Sequence, residues 1–161
     1  MPGDTIRLTT AQAIVRYLEA QFIDIDGVET RICGGGFGIF GHGNVTCLGE
    51  ALYAHQDTLP LYRGQNEQAM GFAAAAYAKY HLWRRFMFCT ASAGPGTANL
   101  LTSAALAPAN RQPVLMLWGD TILPRLTDPP IPARGAGDTA RPGRLRPRIY
   151  RPPARCAGLE L

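Results

Sequence analysis

No stretch of the 161 residues approaches the roughly 20 consecutive apolar positions a helix needs to cross a bilayer, and residues 1–10 lack the charged-then-apolar pattern of a secretory leader. The four cysteines, Cys33, Cys47, Cys89 and Cys156, stand far apart. None forms a C-x-x-C pair, and no pair has histidines at zinc-finger distance. This argues against a disulfide framework or a structural zinc and for reduced thiols in a cytoplasmic setting; no metal ligands are assigned. There is neither a G-x-x-x-x-G-K-[ST] loop nor a clean G-x-G-x-x-G with an acidic partner, so the glycine-rich turns are not read as phosphate cradles.

Charge is scarce where the chain is apolar and one-sided where it is not. Residues 1–121 carry 8 Arg or Lys against 9 Asp or Glu, whereas residues 122–161 carry 8 Arg against 3 acids. The formal net charge of +4 therefore resides in the tail, and no nucleic-acid role is expected of the body. The last 40 residues also hold 8 Pro, 5 Ala and 4 Gly with no helical or strand period. Such a composition cannot bury enough apolar surface to offset its ordering entropy, so disorder is expected there. Pro, Arg, Ala and Gly share GC-rich codons, which points to out-of-frame translation as the origin of residues 122–161.

What is present is an α/β pattern. Ala11, Ile14, Val15, Leu18 and Phe22 recur at helical spacing behind Thr9 and Thr10 and predict a helix over residues 10–22. Residues 24–29 alternate around Asp26-Gly27 and read as a short surface excursion. Four short apolar runs follow, at residues 37–40, 59–62, 86–90 and 113–119, each but the last leading into a helical pattern. Pro60 marks the second run as an edge strand or a strand start. Continuous apolar runs alternating with helices predict a parallel sheet with helices on both faces.

Three turns carry the chemistry-bearing residues. The first is Gly41-His42-Gly43-Asn44; the second is Gly64-Gln65-Asn66, which enters an alanine-rich helix with Glu67 in its first turn; the third is Gly94-Pro95-Gly96. Glu67 has two readings, an ordinary first-turn acid behind an Asn66 cap or a carboxylate presented to a ligand at the end of a strand. The first glycine turn reads as a tight turn or as a place where a ligand meets the backbone, and Gly94-Pro95-Gly96 reads first as a capped helix start.

In this order and spacing, the phrases FGIFGHGN, YRGQNEQAMGFAAAAYAK, ASAGPGTANLLTSAALA and PVLMLWGDT resemble the pyrimidine-binding domain of thiamine-diphosphate enzymes of the acetolactate synthase and pyruvate decarboxylase type. More narrowly they are similar to the branch that hydrolyses a carbon–carbon bond of a cyclic 1,2-dione in inositol catabolism. The resemblance covers about residues 5–121, and so implies an incomplete N-terminal domain over 1–121. It implies thiamine diphosphate as cofactor and Glu67 as the catalytic carboxylate, sharing a proton with a nitrogen of the cofactor's aminopyrimidine. It further implies that Gly94, Pro95, Gly96 and Asn99 border the cofactor and that His42 and Asn44 face the substrate. In the family the diphosphate and its Mg2+ are held by a later domain with its own metal motif. Self-association or a partner bearing that domain is therefore needed for a complete site, and these residues alone are expected to be inactive. Two other readings stand beside this one: a non-catalytic subunit of a split thiamine-diphosphate enzyme, and a binding protein with a basic tail.

Overall fold

The computed structural model describes residues 6–41 and 44–119. His42 and the whole of 122–161, with the disorder and reading-frame expectations attached to it, lie outside the described residues.

Helix α1 (Thr10–Glu19) starts with a reciprocal cap: the Thr9 hydroxyl accepts from the Gln12 amide at 3.2 Å while the Gln12 side chain accepts from the Thr9 amide at 2.9 Å. Val15 and Leu18 point into the core. The helix ends short of the expected Phe22, because that residue opens strand β1 (Phe22–Ile25), paired antiparallel with β2 (Val28–Arg31). The expected surface excursion is thus a hairpin. Asp26 and Gly27 both take positive φ, 55° and 84°, as a two-residue hairpin turn requires, and the Asp24 carboxylate accepts from the Gly27 amide at 2.8 Å. Arg31 holds the hairpin to the body by donating from Nε to the Glu19 carbonyl at 3.0 Å and from Nη1 to the Thr58 carbonyl.

The main sheet has four strands, β3 (Cys33–Ile39), β4 (Leu61–Arg63), β5 (Phe86–Ala91) and β6 (Val114–Trp118), in the order β4-β3-β5-β6. Every pairing is parallel, as predicted, and β4 behind Pro60 is an edge strand. Two apolar layers cover the sheet. Met87, Cys89, Ala91, Val114 and Met116 pack against helices α3 (Glu67–Tyr80) and α4 (Pro95–Ala109). Phe88, Leu115 and Leu117 face the opposite way, toward Val15 and Leu18 of α1 and toward Ala51 and Leu52 of the short helix α2 (Glu50–Tyr53). A five-residue π-helical turn, Val45–Gly49, leads into α2. Burying each large side chain in these layers, such as Phe88, Leu52 or Leu100, contributes about 1.5–3 kcal/mol.

Helices α3 and α4 pack together, with Gly71 against Ser103 and Leu100, and with Ala74, Ala75, Leu100 and Ala107 in one core cluster. A Cβ at Gly71 would lie 1.9 Å from Ser103 Oγ, so the contact exists only because position 71 has no side chain. The alanine-rich sequence of α3 is in this sense a packing surface, and it fixes how the first turns of the two helices sit relative to each other.

Candidate functional site

In a parallel sheet all strands finish at one edge, so the bends after β3, β4 and β5 share that edge. Strand β3 leaves toward the face covered by α2, and its neighbour β5 leaves toward the face covered by α4. Where adjacent strands send their connections to opposite faces, a crevice opens beyond their carboxyl ends, and ligands of open α/β sheets bind in such crevices. The three turns singled out in the sequence therefore meet at one place.

Asn66 caps α3, its side chain accepting from the Ala69 amide at 2.9 Å. Glu67 is thereby relieved of the capping role, and its side chain reaches across to α4 instead. Asn99 Nδ2 donates to Glu67 Oε2 at 2.8 Å, although 32 residues separate the pair. The other oxygen, Oε1, lies 3.3 Å from where a Cβ on Gly96 would stand. The half-buried carboxylate thus sits in the first turn of its own helix and against the first turn of the next. The carboxylate therefore lies where two helix starts meet.

The third turn is shaped by its glycine. Gly94 has φ 71° and ψ −111°, a backbone conformation side chains resist, and it turns the chain so that Pro95 occupies the first helical position. Gly94 and Pro95 are exposed on the rim, whereas Gly96 is buried beneath them. Thr97 braces the bend, its hydroxyl donating to the carbonyl of Ser92 at 2.9 Å; a second contact of 3.3 Å reaches the carbonyl of Gly119 at the end of β6.

The structure places Asn44 inside the protein. Its Oδ1 accepts from the Gly41 amide at 3.0 Å, while Nδ2 donates to Thr90 Oγ1 and to the Ala91 carbonyl, each at 3.0 Å. With 6% of its surface exposed, the side chain joins the turn after β3 to the end of β5. His42 belongs to the same turn but lies outside the described residues. At the ends of β3 and β4, an open depression is lined by Ile39, Arg63, Gly64 and Gln65. Sequence reasoning passed over Arg63, Gln65, Ser92 and Thr97; the signal that could have found them is their position next to the turn glycines, between a strand end and a helix start.

Among the described residues no group of three or more His, Cys, Asp or Glu is placed to hold a metal ion, and no helix is long and apolar enough to cross a membrane.

The family described as "Thiamine pyrophosphate enzyme, N-terminal TPP binding domain" matches residues 8–127. Proteins named 3D-(3,5/4)-trihydroxycyclohexane-1,2-dione hydrolase, from Bacillus thuringiensis (strain Al Hakam), Bacillus cereus (strain 03BB102) and Bacillus anthracis, are each 50% identical over 125 residues. The alignment takes in 78% of this chain and 19% of each relative, so the chain spans about a fifth of the length of the curated relatives it matches.

Proposed function

Because the chain belongs to the thiamine pyrophosphate enzymes, by their N-terminal TPP binding domain, we propose that it binds the aminopyrimidine half of thiamine diphosphate with Glu67 as the proton-sharing carboxylate. The observation that carries this reading is the position of Glu67: half-buried at the crevice end of the sheet, hydrogen-bonded to Asn99 across the helix interface, and facing a glycine where a side chain would intrude.

The residues present fit that group. A flat heteroaromatic ring packs well against backbone that carries no side chain, and the Gly94-Pro95-Gly96 turn brings such backbone next to the carboxylate. Glu67 is assigned to accept or hold a proton at the ring nitrogen, a task that suits a carboxylate shielded from bulk water. Gly94, Pro95, Gly96 and Asn99 are assigned to the border of the ring. His42 and Asn44 are assigned to the substrate side of the crevice, with Asn44 acting through the turn it braces. Bound thiamine diphosphate supplies a nucleophilic thiazolium carbon for attack on a carbonyl group; the protein orients it and tunes its protonation.

By the names of its relatives, the whole enzyme is proposed to hydrolyse a carbon–carbon bond of a cyclic 1,2-dione. These 161 residues are assigned the pyrimidine half of that site, and the diphosphate and Mg2+ are assigned to another domain or subunit. Turnover by the chain alone is not expected.

The test is a titration of the isotope-labelled chain, followed by NMR, with 4-amino-5-hydroxymethyl-2-methylpyrimidine and separately with thiamine diphosphate and Mg2+. Weak binding is expected, with shifts concentrated at residues 64–67 and 94–99 and abolished in Glu67→Gln. Shifts spread elsewhere, or unchanged in Glu67→Gln, would remove the assignment. Micromolar affinity for thiamine diphosphate by calorimetry would contradict the half-site part of the proposal.

A further inference from the structure

We propose that Asn99 is a positioning residue for Glu67: by holding Oε2 as an acceptor, it confines the exchangeable proton of the carboxyl group to Oε1, the oxygen that meets the ring. The inference rests on the pyrimidine reading above and deepens it.

Its basis is the geometry of one pair. A side-chain amide can approach a carboxylate oxygen at 2.8 Å only through its nitrogen, because its own oxygen would set two acceptors against each other. The contact therefore fixes the Asn99 amide orientation, and it keeps Oε2 free of a proton for as long as the bond lasts. Asn99 is half-buried and lies one helical turn beyond Gly96, so the two share a face of α4, the one turned toward Glu67. The pair thus treats the two oxygens differently. One meets a donor and the other lies against the bare backbone of Gly96.

The surroundings keep this arrangement from relaxing. Helices α3 and α4 are locked at short range by the Gly71–Ser103 contact, one turn beyond each partner, so Glu67 and Asn99 cannot drift apart without separating the helices. Asparagine is itself a poor residue for a helix interior, and here the fifth residue of α4 is one. That local cost is offset if the amide has work to do across the interface. Among the described residues Asn99 is the hydrogen-bond partner of the Glu67 side chain, so no second donor duplicates it.

The test compares wild type, Asn99→Leu and Asn99→Asp in their binding of 4-amino-5-hydroxymethyl-2-methylpyrimidine across pH, each fold being checked by its amide spectrum. In Asn99→Leu the carboxyl group can rotate or carry its proton on either oxygen, and affinity is expected to fall about tenfold or more at every pH. In Asn99→Asp two carboxyl groups face each other. The ratio of N99D affinity to wild-type affinity is then expected to be low near neutral pH and to rise as pH falls, because a protonated carboxyl can donate to Oε2 as the amide does. A merely structural role for Asn99 would give no such pH-dependent ratio. Wild-type binding that Asn99→Leu leaves intact would overturn this inference alone. Absence of wild-type binding would overturn the pyrimidine reading and this inference with it. A second readout needs no ligand: the Asn99 side-chain amide proton is expected downfield in the free protein and at an ordinary position in Glu67→Gln, and an unchanged shift would overturn the pairing.

Discussion

The side-chain amide of Asn44 donates to the backbone carbonyl of Ala91 at 3.0 Å, tying the turn that follows β3 to the last residue of β5 across the crevice between them. With the Thr90 hydroxyl and the Gly41 amide also bonded to it, this one buried side chain satisfies three groups on two bends.

Asn44→Ala removes all three bonds without supplying replacements. Each buried group left without a partner costs about 1–3 kcal/mol, and water entering the vacated space recovers part of the sum, so a net loss of about 2–4 kcal/mol is expected. Urea unfolding measures it, and hydrogen exchange at Gly41 should accelerate with it. A change below about 0.5 kcal/mol, the scale of ordinary surface substitutions, would show that the clasp contributes nothing.

Gly71→Ala pits propensity against space. Alanine is favoured over glycine in a helix by about 1 kcal/mol. The new methyl, however, would lie 1.9 Å from Ser103 Oγ and 2.4 Å from Ser103 Cβ, and overpacking of this kind costs about 1–3 kcal/mol. The hydroxyl can rotate, but a 2.4 Å approach to Ser103 Cβ cannot be absorbed without moving a helix, so sterics should win and the variant should be less stable. Ser103→Gly removes both clashing atoms. The double variant is therefore expected to be more stable than the two single losses predict, by more than the additivity error of about 0.5 kcal/mol.

How much of this was legible in the chain depends on what each residue advertises. The apolar runs of β5 and β6 announced a parallel sheet, but not that Met87, Cys89 and Ala91 face one layer while Phe88 faces the other, since a strand buried on both sides shows no alternation. Strand β3 begins at Cys33, earlier than the run at Phe37, because Gly34, Gly35 and Gly36 carry no hydrophobic signal. Phe22 fitted the helical period yet belongs to β1, where the Asp26-Gly27 turn sets the pairing. At the site, the Asn66 cap and the exposed rim of the third turn follow from local rules. The burial of Asn44 and the reach of Glu67 to Asn99 do not, because both depend on which elements pack together after the chain has travelled 46 and 32 residues.

The buried thiols set an alkaline limit. Burial pushes Cys33 up to about 11 and Cys89 up to about 12, against about 8.5 for a thiol in an unfolded chain. A group whose folded value is raised contributes in full below its unfolded value and loses that contribution as pH rises. Between about pH 8.5 and 11 the unfolded chain has released these protons while the folded chain still holds them, so stability should fall as pH rises, by roughly 1.4 kcal/mol per pH unit for each thiol at most. Urea midpoints across that range measure the slope, and Cys89→Ala should flatten it. At pH 8, exposed Cys47 should be alkylated while Cys33 and Cys89 are spared.

Two neighbouring glycines separate stability from site geometry. At Gly94 nothing lies within 4 Å of an added Cβ, but φ of 71° with ψ of −111° strains any side-chain-bearing residue by about 1–3 kcal/mol. Gly94→Ala should therefore lower the unfolding midpoint and leave the Glu67 carboxylate where it is. Gly96 has ordinary helical backbone, so the opposite holds. Its added Cβ would meet Ser92 Oγ at 2.5 Å, Glu67 Oε1 at 3.3 Å and Ala91 Cβ at 3.4 Å. The serine hydroxyl can rotate away, and the helix gains about 1 kcal/mol of propensity, so the fold should survive Gly96→Ala with little net change in stability. The carboxylate, in contrast, must shift by a few tenths of an ångström from the place assigned to meet the ring. Pyrimidine binding should fall about tenfold or more in Gly96→Ala, about 1.4 kcal/mol or more at the site, and by a smaller factor in folded Gly94→Ala, whose added methyl can touch only the border of the ring. Equal binding losses in the two variants would mean that this turn shapes the fold and leaves the ligand to other residues.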